Sequence, residues 1–401
     1  MGRIIHFGLG NFARAHLLDF TADAGGWDVV AVSLRSPKVR DGLAVQGFSY
    51  TLNVQGQEIK RIEILKDVLV ASEGFQPILD AMATADIISA TVTEKGYHLN
   101  TDGKLDFQDP TILSDLAGNS IQTLIGFIAH SLANRTSPVT ILSCDNRVEN
   151  GTKLQKAVAD FATAADLKIN WENASFPNSM VDRITPATTD AIRAISDDPM
   201  AVPTEAFREW VIEDNFSGPC PEWPEVQFVR DVKPHELRKL RMLNGAHSLL
   251  AYAGLVQGYT YVHEAIADPT LRSQVQQLMI DAGATLPMAV RDQVPGYAKA
   301  LLTRFENVAL AHRLDQIAMD GSQKVPYRFL ETLRASSSPT LIKAVWSWII
   351  FCRTQTAQGL PLNDPKAKEI VIAVNSEYPV IALLELLLSL IHISEPTRRS
   401  A

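Results

Sequence analysis

Four polar side chains with catalytic potential lie in one leucine-rich segment, residues 234–255. They are Glu236, Lys239, Asn244 and His247. With Lys239 taken as zero in an ideal α-helix, Glu236 lies at about 60° and His247 at about 80° around the axis, and Asn244 at about 140°. All four share a face with several leucines. Because an unpaired buried amine or amide costs several kcal/mol, these groups must be paired or functional.

These residue types fit the oxidation of an alcohol to a ketone. Burial among leucines favours the neutral amine of Lys239, which can then accept a hydroxyl proton near neutral pH. An amide N–H of Asn244 can stabilise the developing alkoxide, as the donors of an oxyanion hole do. His247 can orient the substrate, and Glu236 can relay the proton outward. The alternative interpretation is a buried Lys–Glu pair with a purely structural role.

A glycine-rich turn at the start of the chain predicts a dinucleotide site. A short β-like run leads directly into Gly8, Gly10, Asn11, Phe12 and Ala13, which fit the pattern GxGxxA. The first glycine permits the tight turn, the second lets a pyrophosphate approach the backbone, and the small third residue allows close helix packing. The alternative is an ordinary tight turn between a strand and a helix.

The second β-like run lacks the acidic residue that commonly binds the adenosine ribose of NAD. Its loop carries Arg35 and Lys38, and the first acid is Asp41. Arg35 or Lys38 could meet a 2′-phosphate, or the loop could be a solvated basic segment. The choice between NAD and NADP therefore stays open on these residues alone.

A second polar cluster, residues 143–146, follows another β-like run. Open parallel sheets bind ligands at the carboxyl ends of their strands, so Asn146 is a candidate second donor to the alkoxide. The alternative is an Asx turn or helix cap. Residues 91–97 follow a further β-like run and could line the same crevice.

The elements that would position these residues divide the chain into two parts. Short β-rich runs separated by helical stretches predict a parallel α/β sheet in the first half. They are residues 3–7, 27–32, 85–92 and 138–142. After Val202 the pattern predicts a mainly α-helical domain. Its predicted helices cover residues 205–212, 234–255, 269–284, 297–305 and 338–353. We therefore predict domains at 1–200 and 201–387.

Composition excludes several classes of protein. The chain has 401 residues, 46% hydrophobic and 20% charged, with a net charge of -8, so a nucleic-acid partner is not expected. No signal peptide and no apolar run of about 20 residues is found, which predicts no membrane partner. Its three cysteines show no CxxC spacing, which favours a reducing, cytoplasmic setting and no metal site.

Other dehydrogenase designs lack their motifs. There is no Tyr-x-x-x-Lys dyad, and three scattered cysteines supply no zinc set of the kind found in medium-chain alcohol dehydrogenases. The zinc-protease pattern His-Glu-x-x-His and the hydrolase pattern Gly-x-Ser-x-Gly are also missing. A metal-independent design based on a lysine remains.

Taken together, the motifs resemble the polyol-specific long-chain dehydrogenases/reductases, the mannitol dehydrogenase family. The matching segments are residues 8–16, 91–97, 143–151, 176–186 and 210–216, and the spacing Lys239-x4-Asn244-x2-His247. The resemblance implies a Rossmann-like N-terminal domain, a helical C-terminal domain and NAD as cofactor. It also implies Lys239 as acid/base, Asn146 with Asn244 as oxyanion donors, His247 as a substrate-positioning residue and Glu236 as the gate of the proton path.

The resemblance is nearest to the fructuronate reductase branch, which interconverts D-mannonate and D-fructuronate. A sugar acid needs a cationic partner for its carboxylate. Lys95 or Lys324 could supply it, and Asp182 is a further candidate substrate ligand. A mannitol 2-dehydrogenase or D-arabinitol dehydrogenase is the alternative enzyme. The alternative from another class is a catalytically silent regulator that binds a dinucleotide or sugar. The oligomeric state stays open.

The last residues look foreign to the rest of the chain. Residues 388–401 resemble the translation of a sequencing adapter. We therefore expect a non-native tail there, outside the two predicted domains.

Overall fold

The computed structural model describes residues 2–57, 59–100 and 102–394, with side chains as far as Ser389. The chain divides into two compact units that meet between Lys233 and Pro234. Each unit has its own architecture.

Strands of the first unit form three sheets in the part that the structure describes. In chain order the strands are β1 Gly2–Phe7, β2 Trp27–Ser33, β3 Tyr50–Val54, β4 Lys60–Ile62, β5 Leu65–Val70, β6 Ile87–Ala90, β7 Val139–Ser143, β8 Ala174–Ser175, β9 Ser179–Asp182, β10 Val202–Thr204, β11 Glu209–Glu213 and β12 Gln227–Val229. The main sheet has the order β5-β2-β1-β6-β7-β8. Every neighbouring pair in it is parallel, so the strands end at one common edge.

The main sheet is covered on both faces, as parallel sheets usually are. Side chains of β1 alternate between two apolar cores. Ile5 and Phe7 lie in one core with Phe127, whereas Ile4 lies in the other with Trp210. The four predicted strands are confirmed as β1, β2, β6 and β7. The sequence analysis missed β5, where Leu65 and Val68 are buried but the residues between them are exposed, and β8, which has only two residues.

Two small sheets complete the first unit, with the orders β10-β3-β4 and β12-β11-β9. The predicted helix at residues 205–212 is wrong, because most of that segment's apolar residues belong to β11. Trp210, Val211 and Ile212 are aromatic or β-branched and fully buried, which favours a strand. Since β10 to β12 belong to the first unit, the chain changes to helices at residue 233 rather than near residue 200, where the sequence predicted the change.

Helices of the first unit flank these sheets. They are α1 Asn11–Ala15, α2 Leu17–Ala24, α3 Lys38–Ala44, α4 Gln76–Ala83, α5 Pro110–Leu116, α6 Leu124–Ala133, α7 Asn150–Ala164 and α8 Asp190–Ser196, with 3-10 turns at Ala71–Glu73, Glu94–Tyr97 and Trp171–Asn173. A buried ion pair supports α2, because Arg183 Nη1 lies 2.6 Å from Asp19 Oδ2.

Helices make up the described part of the second unit. They are α9 Lys233–Arg238, α10 Gly245–Val256, α11 Val262–Ala267, α12 Pro269–Ala284, α13 Met288–Arg291, α14 Val294–Phe305, α15 Leu314–Ala318, α16 Gly321–Val325, α17 Glu331–Ala335, α18 Pro339–Ala357, α19 Ala367–Val374 and α20 Pro379–Ser394, with a 3-10 turn at Val308–Leu310. Helix α10 packs against α12, α15 and α18. It is buried all around between Gly245 and Tyr252, as expected of a central helix.

Two segments of the second unit are π-helical. The first π-turn is Lys239–Asn244, between α9 and α10. The second π-turn is Pro326–Leu330, between α16 and α17. The predicted helix at 234–255 is therefore confirmed as a helical segment but is not a continuous α-helix, whereas the helices predicted at 269–284, 297–305 and 338–353 are confirmed.

No helix in the described ranges combines the length and the apolar content needed to cross a bilayer. Of the predicted tail, residues 388–394 continue α20. Residues 395–401 lie outside the described residues.

Candidate functional site

Gly8 and Gly10 shape the turn after β1 in different ways. Gly8 has a φ of +93°, and a Cβ there would lie 2.2 Å from the carbonyl oxygen of Thr91, so the position requires glycine. Gly10 has an ordinary φ of −76°, and a Cβ there would meet nothing within 4 Å. Ala13 is fully buried. The turn therefore closes on the sheet at Gly8 and leaves open space at Gly10, as the approach of a pyrophosphate requires.

His6 holds this turn in place, a role that the sequence analysis missed. Its Nδ1 lies 2.9 Å from Ser89 Oγ, and its Nε2 lies 3.0 Å from Thr91 Oγ1. The Thr91 hydroxyl donates to the carbonyl of Gly8 at 2.6 Å. Complete burial lowers the pKa of His6 to about 4, so the ring is neutral at pH 7. The available signal was a histidine between the apolar residues Ile5 and Phe7, two residues before Gly8.

Asn11 and Phe12, two predicted cofactor ligands, use their side chains within the protein. The amide nitrogen of Asn11 donates to the carbonyl of Pro186 at 3.3 Å and to Thr188 Oγ1 at 3.1 Å. Phe12 stacks on His16, with ring centroids 5.0 Å apart. The side chains of these two residues are therefore engaged within the protein. A ligand would contact their backbone, in the first turn of α1.

Arg35 lies exposed in the loop after β2, where the sequence predicted it. Among the described residues its guanidinium makes no ion pair. The nearest acid along the chain, Asp41, is bound to Arg40 at 2.9 Å. The loop thus offers a cation, and no acidic side chain at the end of the strand, to the ribose end of a dinucleotide.

Asp145 joins the loops that follow β6 and β7. Its Oδ1 accepts a 2.7 Å hydrogen bond from the backbone N–H of Thr93, and its Oδ2 accepts one of 3.3 Å from Val92. Burial raises the pKa of Asp145, against the effect of these hydrogen bonds. Asn146 follows directly and is exposed. The strand-end position that was predicted for Asn146 is therefore present.

Asn150 braces the same loop from α7, and the sequence analysis assigned it no role of its own. Its Nδ2 donates to the carbonyls of Asp145 at 3.0 Å and Ser179 at 2.9 Å. Its Oδ1 accepts from the N–H of Ser179 at 2.9 Å. Asn150 is fully buried, so this network fixes the path of the backbone on both sides of Asn146.

Asp182 and Lys95 occupy different environments in the first unit. Asp182 is buried at the end of β9. Lys95 is exposed in the 3-10 turn after β6. Lys95 thus lies at the same sheet edge as Asn146, whereas Asp182 belongs to a different sheet.

The first π-turn changes the predicted arrangement of the catalytic face in the second unit. The N–H of Gly245 bonds to the carbonyl of Leu240, five residues earlier. In such a turn, residues five apart take the relation that residues four apart have in an α-helix. Lys239 and Asn244 are five apart, so they lie closer around the axis than the α-helical count predicted. The two residues therefore share one side of the turn.

Lys239 and Glu236 are both buried, with 8% and 7% of their surfaces exposed. The arginines between and beyond them face other parts of the unit. Arg238 donates to Gln293 and lies over the ring of Tyr297, 4.4 Å from its centroid. Arg241 donates to Thr285 Oγ1 at 2.9 Å. The guanidinium groups of Arg238 and Arg241 are thus held by Gln293, Tyr297 and Thr285.

His247 is the third residue of α10, with 7% of its surface exposed. Its ring contacts Phe305 and His312, at centroid distances of 4.7 and 5.1 Å. Burial lowers its pKa well below the usual value, and electrostatic interactions with His312, Arg304 and Arg328 lower it further. Its buried Nε2 has no hydrogen-bond partner among the described residues. A neutral imidazole with one unused nitrogen can bind a substrate hydroxyl.

The second π-turn places Arg328 against Asn244 and Ser248. The sequence analysis did not single out this arginine. Its Nη1 donates to Ser248 Oγ at 2.8 Å and to the carbonyl of Asn244 at 3.3 Å. Lys324 lies one turn earlier, and its Nζ lies 3.4 Å from the carbonyl of Ile317. Burial lowers the pKa of Lys324, as does the charge of Arg328. The available signal was a second cation four residues after Lys324.

The two units therefore hold two chemically distinct sets of residues. The first unit offers a glycine turn, a basic loop and Asn146. The second unit offers Lys239, Asn244 and a neutral His247, the set that proton transfer and alkoxide stabilisation require. Within the described ranges, no three His, Cys, Asp or Glu side chains are grouped so that they could hold a metal ion.

Both units match known family models. Residues 2–225 match the mannitol dehydrogenase Rossmann domain, and residues 231–386 match the mannitol dehydrogenase C-terminal domain.

Individual relatives match along most of their length. D-mannonate oxidoreductase of Escherichia coli (strain K12) is 38% identical, over 94% of this chain and 85% of the relative. Mannitol 2-dehydrogenase of Phaeosphaeria nodorum is 33% identical, over 96% of this chain and 75% of the relative. The solved structure of Pseudomonas fluorescens mannitol 2-dehydrogenase, a ternary complex with NAD and D-mannitol, has a TM-score of 0.80 and 30% identity, over 98% of this chain and 91% of that one.

Proposed function

The chain belongs to the mannitol dehydrogenase family, and from that premise we propose that it interconverts D-mannonate and D-fructuronate with NAD. At the coarser level it is an oxidoreductase that acts on the CH–OH group of a polyol or sugar acid. The related D-mannonate oxidoreductase supports the sugar acid over the neutral polyol. A property of the helical unit supports the same choice.

The observation that carries the proposal is the position of Arg328 beside Asn244 and His247. Its Nη1 donates to Ser248 Oγ at 2.8 Å and to the carbonyl of Asn244 at 3.3 Å, and its charge adds to the effect of burial in lowering the pKa of His247. No acidic group is among the causes of that shift. A half-buried arginine beside the proposed substrate-positioning residue favours an anionic ligand, because a bound carboxylate relieves the cost of the buried positive charge.

Residues of the glycine turn fit NAD. The open side of Gly10 leaves room for the pyrophosphate, and the backbone N–H groups at the start of α1 can bind it. Arg35, exposed in the loop after β2, is proposed to meet the adenosine ribose end of the dinucleotide. When bound, NAD supplies the hydride acceptor, and its reduced form supplies the hydride. Because the strand end has no acid, NADP remains a cofactor to test.

The chain's own residues handle the proton and the substrate oxygen. Lys239, which is buried, accepts the hydroxyl proton of the alcohol. Asn244, on the same side of the π-turn, donates to the oxygen as its charge develops. The neutral His247 binds a neighbouring hydroxyl through Nε2. Glu236 is proposed to pass the proton outward, and Asn146 remains the predicted second oxygen donor.

Two further predictions stay part of this proposal. Asp182, Lys95 and Lys324 are kept as candidate substrate ligands. A reducing, cytoplasmic setting agrees with the state of the cysteines, since Cys144, Cys220 and Cys352 are all free.

A steady-state substrate panel tests the proposal. Oxidation of NADH by the purified protein should show its highest kcat/KM with D-fructuronate, and lower values with D-tagaturonate and D-fructose. The same panel with NADPH measures the cofactor preference. A preference for D-fructose would instead assign the mannitol 2-dehydrogenase activity. No turnover with any of these ketoses would leave the silent-regulator alternative.

A further inference from the structure

Two π-turns pack against each other in the second unit. Well under about 1% of residues in globular proteins are π-helical, and such turns are frequent at functional sites. The first π-turn carries Lys239 and Asn244. The second π-turn carries Arg328 and begins at Pro326, whose missing N–H and ring disfavour regular α-helical bonding there. Two irregular turns therefore meet where the oxygen-binding residue lies.

Arg328 reaches this place with part of its guanidinium unused. Of its three nitrogens, Nη1 donates to Ser248 and to the carbonyl of Asn244. Nε and Nη2 make no hydrogen bond among the described residues, and neither atom is among the fully buried polar atoms. These two atoms form the edge of a guanidinium that binds a carboxylate through two parallel hydrogen bonds.

Arg328 and Lys324 lie one turn apart but differ in their charged neighbours. Asp320 and Asp364 both act to raise the pKa of Lys324, so acids partly compensate its charge. Burial lowers the pKa of Arg328, and the group that opposes this effect is the hydroxyl of Tyr252, not a carboxylate. No acid within the described part of the chain forms an ion pair with Arg328. A half-buried cation without a counterion is costly, and an anionic ligand would relieve that cost.

We propose that Arg328 binds the carboxylate of the sugar acid and is the main determinant of the preference for sugar acids over neutral polyols. The proposal rests on the proposed function, and it selects Arg328 over the two lysines that the sequence suggested. Its Nη1 bond to the carbonyl of Asn244 couples the carboxylate to the turn that holds the reacting oxygen. Arg328 would thereby hold the carboxylate of the acid at a fixed position relative to Asn244.

The test compares an acidic with a neutral substrate in one variant. In Arg328→Gln, kcat/KM for D-fructuronate should fall about 100-fold, as expected for the loss of charge-assisted hydrogen bonds, while kcat/KM for D-fructose stays within about threefold. Arg328→Lys keeps the charge but not the paired donors and should recover part of the loss. The dissociation constants of D-mannonate and D-mannitol, measured with NAD bound, give the same comparison where reduction of D-fructose is slow.

Two further variants give the comparison its controls. Arg241→Gln removes another half-buried arginine of the unit, one that bonds to Thr285, and should leave the ratio of acid to neutral substrate unchanged. Lys324→Gln should lower that ratio less than Arg328→Gln does. Melting temperatures of all variants check that each is folded.

Each outcome decides between the claims. If the wild-type protein reduces D-fructuronate and Arg328→Gln lowers both substrates equally, the role of Arg328 is structural and the proposed function stands. A larger loss in Lys324→Gln transfers the role to that lysine. If the wild-type protein does not reduce D-fructuronate, the proposed function fails, and the role of Arg328 with it.

Discussion

The glycine turn of the first unit and the first π-turn of the second unit determine local geometry in different ways. At Gly8 the backbone itself is fixed, because its positive φ and the close carbonyl of Thr91 exclude any side chain. In the first π-turn an extra residue per turn repositions side chains, so that Lys239 and Asn244 share a side. The glycine turn leaves open space at Gly10 for a ligand. The first π-turn instead orients the side chains of Lys239 and Asn244.

The difference predicts separable functions for the two regions. Substitutions in the glycine turn should act on folding or on cofactor affinity. Substitutions in the π-turn should act on turnover while NADH still binds.

The largest effect is expected at Asn244. Asn244→Ala removes the donor to the developing alkoxide, so kcat should fall about 100-fold to 1,000-fold, as for the loss of one oxyanion-hole donor. The dissociation constant of NADH, measured by fluorescence titration, should stay within about threefold. Equal losses in turnover and NADH affinity would show that the turn is not a separate functional region. Asn244→Asp, similar in size but without the amide donor, should be equally slow.

The next largest effects are expected for two matched substitutions, Gly8→Ala and Gly10→Ala. Gly8→Ala forces a Cβ against the carbonyl oxygen of Thr91 and should lower the free energy of unfolding by roughly 3 kcal/mol. Gly10→Ala meets no protein atom and should change stability by less than about 0.5 kcal/mol. Its effect should instead be a rise of about tenfold or more in the NADH dissociation constant. Urea unfolding and NADH titration measure the two effects, and the reverse pattern would contradict the assignment.

The smallest effect concerns the support of the glycine turn by His6. Because the folded protein holds the pKa of His6 at about 4, against about 6.5 in the unfolded chain, the unfolded state binds more protons between these values. Stability should therefore fall as the pH falls through this window. Between pH 7 and pH 5 the contribution is about 2 kcal/mol.

Urea unfolding at the two pH values measures this contribution. His6→Asn lacks the titrating group and should lose about 2 kcal/mol less between pH 7 and pH 5 than the wild-type protein does. If the free energy of unfolding depends on pH identically in both proteins, His6 does not cause the loss of stability at low pH.

Much of the fold could be predicted because hydrophobic patterns report on burial. The short β-rich runs and their alternation with helical stretches indicated a parallel sheet correctly. The segment 205–212 was misread as a helix, because its pairing with β9 and β12 is a tertiary interaction that no local pattern reveals. The change to helices was placed too early for the same reason.

The site was predictable where single residues determine the geometry. The role of Gly8 follows from its type and its position after a strand, and the structure supports that reasoning directly. The π-turn could not be read from residues 239–244, since an α-helical count assumes the bonding pattern in advance. Arg328 was missed because the proposal for it depends on its contacts and on the absence of an ion pair among the described residues, and the sequence does not show which charges are paired in three dimensions.

The central claim, that cofactor binding and proton transfer reside in separate regions, is tested most directly by Lys239→Ala. The measurement is the NADH dissociation constant and kcat with D-fructuronate in the same preparation, across the pH range. We expect an NADH dissociation constant within about threefold of wild type and a kcat lowered by at least about 100-fold, in the range of general-base catalysis. Turnover near the wild-type rate across pH, or a parallel loss of NADH binding, would contradict it.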